Sequence, residues 1–188
     1  MDVQPSGAGA PGGSDPDQDA RDERIDHFGR LWTPWRMDYI RDPGRGEGCP
    51  FCLSDSADRD RVLHRGDSAF VILNAYPYNP GHLMVIPYTH TDDYATLTLA
   101  ETYEIADLTQ RAIRALRAAV SPHAFNVGMN LGTVAGAGIA DHLHQHVVPR
   151  WGGDTNFMPV VGQTRVLPQL MEDTYALLKP AFDAEMGR

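Results

Sequence analysis

The 188-residue sequence lacks any apolar run of the roughly 18–20 residues that a transmembrane helix requires. It also lacks a basic N-terminal segment followed by an apolar stretch, so we expect no secretory signal peptide. Basic residues are outnumbered, since 16 Lys and Arg against 25 Asp and Glu give a net charge of −9. Phosphate backbones are held by clustered Lys and Arg, and this balance therefore argues against a nucleic-acid partner. We expect a cytoplasmic protein with no membrane partner.

Cysteine is scarce as well, because the chain has only two, Cys49 and Cys52, in the stretch Cys-Pro-Phe-Cys. One close pair does not make the disulfide framework of a small secreted domain. Three interpretations remain open: small apolar residues in a turn, a thioredoxin-like redox pair, or half of a zinc site. No βαβ pattern follows the pair, which disfavours redox chemistry. A closed tetrahedral zinc site would need two further ligands.

The N-terminal residues 1–24 are mostly Gly, Pro, Asp and Ser, and ordering them would cost entropy with little burial in return. We therefore predict a disordered tail. The apolar content of 42% then suffices for one domain over residues 25–188. The aromatic stretch LWTPWRMDYI at residues 31–40 either packs on the core of that domain or forms a dimer contact.

The remaining sequence predicts an α+β fold, an antiparallel sheet with helices mainly on one face. Apolar runs at residues 69–74 and 82–87 flank the turn-rich AYPYNPG, a pattern typical of a hairpin with a wide loop. Thr98 and Glu101 indicate a capping box for a helix that ends before Ser121. The other predicted elements are a strand at 125–130 (FNVGMN), a strand at 157–161 (FMPVV) and a terminal helix over residues 167–182.

The stretch HLHQHVV places histidines at positions 142, 144 and 146. A β-strand repeats its side-chain direction every two residues, so His142, His144 and His146 should share one face of a sheet, and Pro149 should end that strand. Such a row is a functionless polar face, a metal site, or a site for nucleophilic and acid–base chemistry on a phosphoryl group. Neighbours on one strand face lie roughly 6.5–7 Å apart, which disfavours one metal ion held by all three.

The loop before these histidines contains Gly132, Gly136 and Gly138, so its backbone N–H groups can converge on phosphate oxygens. It is not a Walker loop, because it lacks the Gly-Lys-Ser/Thr ending and opens no helix. Asn130 stands at its entrance. Beside a histidine row, such a loop favours phosphate recognition.

At this point the sequence resembles the histidine triad superfamily of nucleotide hydrolases and transferases. HLHQHVV matches the signature His-φ-His-φ-His-φ-φ, except that Gln145 replaces an apolar residue. The stretch LNAYPYNPGHLMVIPYTH at 73–90 is similar to a second family motif that ends in Pro-Gly-His-x-x-Val-x-Pro. The resemblance covers roughly residues 30–182, and the flanks around Trp35 and Trp151 look like the branch of bacterial diadenosine tetraphosphate phosphorylases.

The resemblance implies a role for each histidine. His144 would attack the α-phosphorus and form a covalent nucleotidyl-imidazole, His146 would bond phosphate oxygens or the leaving group, and His142 would orient the site. Asn74 falls where the family binds ribose hydroxyls, and Asn130 matches its phosphate-side asparagine.

The sequence departs from the family at the Gln-Ser pair before the triad, where Gly138 and Ile139 stand. Backbone N–H groups near Ala137 and Gly138 would then hold the phosphate. Inorganic phosphate as the acceptor would lie near Gly132 and contact the Arg150–Trp151 flank.

In zinc-bearing relatives, a Cys-x-x-Cys pair is completed by a later histidine and by the first triad histidine. The resemblance therefore implies a structural zinc held by Cys49, Cys52, His90 and His142. It also implies a homodimer that splits an adenine dinucleoside polyphosphate, with phosphorolysis of diadenosine tetraphosphate to ATP and ADP as the expected reaction. Hydrolysis, phosphoramidase action and nucleotide sensing without turnover are the alternatives. The remaining histidines, among them His64, His82 and His123, are expected to be ordinary hydrogen-bonded residues.

Overall fold

The computed structural model describes residues 48–52, 60–154 and 169–187. The predicted tail 1–24, the aromatic stretch 31–40 and the predicted strand 157–161 lie outside these ranges. The elements in chain order are β1 (Val62–Arg65), β2 (Ala69–Leu73), β3 (Leu83–Pro87), a short 3-10 helix (Tyr94–Thr96), α1 (Leu99–Val120), β4 (Ala124–Met129), β5 (Gln145–Arg150) and α2 (Met171–Met186).

The strands form one antiparallel sheet in the order β1-β2-β3-β5-β4. The predicted hairpin is present, since β2 and β3 pair from Ala69 with Pro87 to Leu73 with Leu83 and enclose the wide loop 74–82. Both strands are buried throughout, which explains their nearly continuous apolar sequences. β1, which was not predicted, lies beside β2 at one edge of the sheet.

Alternate residues of the central strands face two different clusters. Val71, Val85 and Val147 belong to a helix-side core, together with residues from α1 and α2. Phe70 and Met84 point the other way, into an open-side cluster that also contains Phe51 from the Cys-Pro-Phe-Cys turn. The sheet therefore has helices on one face and leaves the other face for the histidines.

The predicted capping box begins α1. The Thr98 hydroxyl accepts the backbone N–H of Glu101, and the Glu101 carboxylate accepts the backbone N–H of Thr98 at 2.8 Å. The helix ends at Val120, and Ser121 follows in the left-handed conformation, as expected for a C-cap. Apolar residues at helical spacing, among them Ile105, Ala112 and Leu116, bury its inner face.

The histidine stretch is a shorter strand than predicted, because β5 begins at Gln145. The residues before it make other bonds, since the Leu143 N–H donates to Thr91 O and the His142 ring donates to Pro87 O. β5 also continues through Pro149 to Arg150 instead of stopping there. The carbonyl of Pro149 faces the side of β5 on which β3 has already ended, so the absent proline N–H removes no ladder bond.

β4 confirms the predicted strand within one residue, but its inner face is only partly covered. Phe125 and Met129 pack against the helix-side core, whereas Val127 is 46% exposed. The reason is that α1 packs on β2, β3 and β5, and β4 lies beyond it at the sheet edge.

The terminal helix also differs from its predicted bounds. Leu170 is the N-cap residue in an extended conformation, so α2 starts at Met171 and runs four residues past Phe182. Leu178 and Phe182 are fully buried and anchor it to the core. None of the helices in the described ranges combines the length and apolar character needed to cross a membrane.

Candidate active site and metal centre

The histidines meet on the open side of the sheet, where β5 begins. The ring centroids of His144 and His146 are 4.9 Å apart, and those of His82 and His146 are 5.1 Å apart. His146 pairs with Met84 of β3 and Gly128 of β4, and a side chain at Gly128 would meet no atom of the described residues within 4 Å. The face beside His146 therefore has room for a ligand.

His144 is 6% exposed and its orientation is set by the backbone. Its Nδ1 lies 2.9 Å from the carbonyl oxygen of His142. A carbonyl can only accept, so Nδ1 of His144 carries the hydrogen and Nε2 carries the lone pair of the neutral imidazole. Nε2 is thus the ring nitrogen that can accept a hydrogen bond or act as a nucleophile.

A second chain of contacts fixes the tautomer of His146. The backbone N–H of Tyr78 donates to Nδ1 of His82 at 3.0 Å, so Nε2 of His82 must carry the hydrogen. That Nε2 lies 3.0 Å from Nδ1 of His146, which accepts from it. Nε2 of neutral His146 is then a hydrogen-bond donor. The neutral rings of His144 and His146 therefore have opposite tautomers, with a lone pair on Nε2 of His144 and a hydrogen on Nε2 of His146.

Aromatic rings pack against this cluster from two sides. The ring of Phe51 lies 5.1 Å from that of His144 and 5.8 Å from that of His142. Tyr78 stacks on His82 at 4.8 Å with an angle of 26° between the rings. These contacts restrict the rotation of the imidazoles.

The predicted substrate residues on the loops lie near the cluster. The Asn74 side-chain nitrogen is 3.3 Å from Nε2 of His82. Asn130 directly follows Met129, which pairs with Gln145, so the antiparallel register places Asn130 beside His144. The glycine-containing loop folds back on itself, because Ala137 N–H donates to the carbonyl oxygen of Gly132.

Asn130 and Gly138 lie at the two ends of this loop. The side-chain nitrogen of Asn130 lies 3.4 Å from the Gly136 carbonyl oxygen and closes the loop across its base. Gly138 follows Ala137 and is partly exposed, at the end of the loop that leads to His142.

Arg150 and Trp151 lie elsewhere, at the far end of β5. Arg150 lies four positions after His146, roughly 13 Å along a strand. The Arg150 guanidinium donates to Asp154 at 2.6 and 2.8 Å and to Asn126 at 2.7 Å. The Trp151 indole N–H donates to the carbonyl oxygen of Val120. The structure therefore does not bring the predicted Arg150–Trp151 flank to the histidines.

The four predicted metal ligands do come together, and their donor atoms all lie within 4.8 Å of one another. Cys49 Sγ is 3.3 Å from His142 Nδ1, and Cys52 Sγ is 3.2 Å from His90 Nδ1. A tetrahedral zinc with bonds of about 2.3 Å to sulfur and 2.0–2.1 Å to nitrogen has donor–donor edges of about 3.3–3.8 Å. The observed separations of neighbouring donors fit such a site.

The protonation chemistry of His142 and Cys52 fits a metal as well. Nε2 of His142 donates to Pro87 O at 2.8 Å, which leaves the lone pair on Nδ1, toward the cysteines. Burial holds the pKa of His142 below its usual range, so the ring is neutral, as a ligand must be. Burial and the neighbouring Cys49 raise the pKa of the Cys52 thiol, an effect that a bound cation would oppose.

Sequence reasoning missed two residues at this site. His82 was expected to be an ordinary hydrogen-bonded residue, and it directly contacts His146. Its place in the Pro-Gly-His motif was the available signal. Phe51 was passed over because only the cysteines of its turn suggested chemistry. His123, by contrast, accepts the Gly152 N–H as expected.

Comparison with known proteins agrees with this geometry. The family model of the HIT domain matches residues 56–153. The chain is 48% identical over 165 residues to AP-4-A phosphorylase of Mycobacterium tuberculosis strain H37Rv, which covers 81% of this chain and 84% of that protein. The chain belongs to the HIT domain family.

Solved structures extend the comparison. A Zn-bound histidine triad family protein from Mycobacterium smegmatis is 30% identical, with a TM-score of 0.61 over 74% of this chain and 96% of that chain. The diadenosine triphosphate hydrolase of Plasmodium falciparum shares the fold at 21% identity, with a TM-score of 0.56 over 68% of this chain and 79% of that chain.

Proposed function

We propose that the protein transfers a nucleotidyl group through a covalent nucleotidyl-His144, and that its reaction is the phosphorolysis of diadenosine tetraphosphate to ATP and ADP. The observation that carries the chemistry is the pair of opposed tautomers, a nucleophilic Nε2 on His144 beside a donating Nε2 on His146. The choice of substrate and acceptor is supported by the 48% identity to a protein named AP-4-A phosphorylase.

In the first step, Nε2 of His144 attacks the α-phosphorus, and the bond from that phosphorus to the bridging oxygen breaks. ATP leaves with the electron pair, and AMP remains bonded to His144. Nε2–H of His146 donates to the phosphate oxygens or to the departing oxygen, whose charge it stabilises. Asn74 binds the ribose hydroxyls, and Asn130 with the backbone N–H of Gly138 holds phosphate oxygens near Gly132. The Ala137 N–H joins them only when it leaves the carbonyl oxygen of Gly132, to which it donates in the structure.

In the second step, an oxygen of inorganic phosphate attacks the same phosphorus from the side opposite His144. The bond from phosphorus to nitrogen breaks, ADP is released, and His144 regains its lone pair. Splitting the transfer into two displacements replaces one difficult step with two easier ones. The net negative charge of the chain disfavours an anionic acceptor, so local donors must hold the phosphate.

Product analysis tests the acceptor. With diadenosine tetraphosphate and excess phosphate, ADP and ATP should accumulate, and the rate should saturate with phosphate concentration. AMP and ATP as the only products would make the enzyme a hydrolase and leave the His144 chemistry intact. A nucleotide that stays bound and unchanged would instead support a sensor, and turnover of a nucleoside phosphoramidate alone would support a phosphoramidase.

Quenching with an alkaline denaturant after addition of labelled substrate tests the nucleophile, because a bond from phosphorus to a histidine nitrogen survives alkali and is hydrolysed by acid. The wild-type chain should carry an acid-labile phosphoramidate on His144, and His144→Ala should lose both label and turnover without loss of folding. His123→Ala is the matched control, since His123 accepts the N–H of Gly152 away from the cluster. That variant should be active and should carry the label on His144. Label on His142 or His146 would overturn the assignment.

We further propose that the cysteine–histidine cluster is a structural zinc site. Zinc when bound supplies a tetrahedral crosslink between Cys49, Cys52, His90 and His142. Protein prepared without chelators should hold about one zinc per chain, and Cys49→Ser should lower the midpoint of thermal unfolding more than the rate per folded molecule. Metal analysis that finds no zinc in freshly purified protein would contradict the proposal.

We also propose that the enzyme is cytoplasmic and acts as a homodimer. The excess of acidic residues and the implied nucleotide substrate support the first statement. The edge position of β4 supports the second.

A further inference from the structure

A polar cluster joins the far end of β5 to the loop 74–82. The Asp154 carboxylate accepts bonds from the Arg150 guanidinium, from the side-chain amide of Asn79 at 2.7 Å and from the Trp151 N–H at 3.1 Å. The Asp154 side chain is only 12% exposed. The bond from Arg150 is the main reason that the pKa of Asp154 lies far below its usual range, so the carboxylate stays charged.

The same Asn79 amide also donates to the carbonyl oxygen of Pro149 at 3.0 Å. The ladder between β3 and β5 has ended by then, since its last pair in this direction is Leu83 with Val147. Asn79 therefore continues the contact between the two strands by a side chain, where backbone pairing has stopped. Asp154 accepts a second bond from the same side-chain nitrogen.

Asn79 is the residue through which the loop is connected to His82. The carbonyl oxygen of Asn79 accepts the His82 N–H at 3.0 Å. The residue before Asn79 is Tyr78, whose N–H donates to Nδ1 of the His82 ring. Displacing Asn79 would thus disturb a backbone bond of His82 and the Tyr78 bond to its ring, and with them the bond from His82 to His146.

We propose that Asp154 is a positioning residue for the histidine cluster: through Asn79 it fixes His82, and through His82 it fixes the tautomer of His146. Asp154 itself touches neither histidine through these contacts. The inference also assigns Arg150 to this cluster, as the partner that holds the Asp154 carboxylate. The expected effect of Asp154 on the rate of nucleotidyl transfer rests on the function proposed above. The expected effect on the His146 tautomer does not.

The tautomer is measured directly by nitrogen-15 NMR of protein labelled at histidine. In the wild type, His146 should show a protonated Nε2 and an unprotonated Nδ1. In Asp154→Ala and in the milder Asn79→Ala, that signal should shift toward a mixture of tautomers. Asp107→Ala is the matched control, because it breaks an Asp–Arg pair of the same spacing on α1, and it should leave the signals unchanged.

Single-turnover kinetics give the second readout. Asp154→Ala should slow formation of nucleotidyl-His144 roughly tenfold or more, as expected when a catalytic group is slightly misplaced. In a His82→Leu background the same change should slow it little further, because residues that act in series are not additive. Asp154→Asn, which keeps one acceptor oxygen, should recover part of the rate.

The outcomes are distinguishable. Unchanged His146 tautomers in folded Asp154→Ala and Asn79→Ala, or rate losses that add fully to that of His82→Leu, would overturn the inference and reduce the cluster to a structural contact. A wild-type protein that shows the stated tautomers and splits no dinucleotide would contradict the proposed function and leave the positioning role to be judged by NMR.

Discussion

At the scale of single residues, three histidines of the site have their tautomers set by backbone groups, and His146 takes its tautomer from His82. His144 donates to the carbonyl oxygen of His142, His142 donates to that of Pro87, and His82 accepts from the N–H of Tyr78. Backbone groups cannot exchange donor for acceptor, so these roles do not change with ligand or pH until an imidazole is protonated. The site is prepared for chemistry by the fold itself.

His82 offers a direct test of this argument. His82→Leu removes the donor to His146 and should lower kcat by roughly tenfold or more, because a positioned donor contributes in this range. His82→Gln can present an N–H at a similar place and should keep more of the rate. Steady-state kinetics of both variants, after a check of the thermal unfolding midpoint, make the comparison. Equal losses in the two variants would mean that packing and not the N–H is what matters.

His64 on β1 should make stability depend on pH. Burial is the main reason that its pKa lies below the ordinary value of 6.5. The charges of Arg111 and Lys179 lower this pKa further, and those of Glu104 and Asp183 oppose the shift. The unfolded chain then binds this proton more readily than the folded one, so the contribution is present above pH 6.5 and is lost as the pH falls toward the folded pKa. Denaturation of wild type and His64→Gln across this range should show a shallower decline in the variant. Parallel curves would contradict it.

At the scale of elements, sequence patterns predicted what repeats locally. The alternation of HLHQHVV separates the two faces correctly only from Gln145 onward, where β5 begins: the Gln145 amide reaches Thr109 on α1 while His146 lies on the open side. The capping box and the hairpin are equally local. The bond between His82 and His146 could not be predicted, because 64 residues separate them and their distance depends on strand order.

The same limit explains the two ends of β5. Nothing near Gln145 in the sequence indicates that His142 will take the Pro87 carbonyl. Nothing near Arg150 indicates that Asp154 and Asn126 will engage its guanidinium. The sequence shows that Arg150 is a charged residue close to the predicted phosphate site. Which groups its guanidinium bonds depends on the tertiary structure.

Gly81 in the loop 74–82 occupies a position where both the backbone conformation and the neighbouring side chains disfavour a Cβ atom. Its φ is +78°, and a Cβ would lie 3.3 Å from Leu116 Cδ2 and 3.4 Å from Pro149 Cγ. Gly81→Ala should lower the free energy of unfolding by about 1–2 kcal/mol from the backbone conformation alone, and further through these contacts. Gly153→Ala is the matched control, with φ of +81° and nothing within 4 Å. Equal losses in chemical denaturation would show that the contacts contribute nothing.

At the scale of the whole molecule, the two faces of the sheet have different tasks. The helix side holds the larger apolar core and supplies most of the buried surface. The open side holds the smaller cluster, the candidate metal ligands and the histidines to which we assign catalysis. Phe51 connects the three parts of the open side. It belongs to the apolar cluster, lies between the two cysteines and contacts the ring of His144. Loss of a metal from the candidate ligands should therefore change the position of the His144 ring through Phe51.

The edge of the sheet gives the last expectation, for the oligomeric state. In the part of the chain that the structure describes, β4 pairs with β5 alone, and Val127 on it is 46% exposed. An uncovered strand edge beside an exposed apolar residue is suited to pairing with a second copy of the chain. Light scattering at micromolar concentration should give twice the mass of one chain, and deleting residues 1–24 should not change it.

A charge at the β4 edge tests where the two copies meet. Val127→Asp should give a monomer, because pairing would bury an uncompensated carboxylate. Leu177→Asp is the matched control, since Leu177 is similarly exposed at 44% but lies on α2, and that variant should remain dimeric. A monomeric wild type would contradict the dimer itself. A dimeric Val127→Asp variant would instead move the interface away from β4.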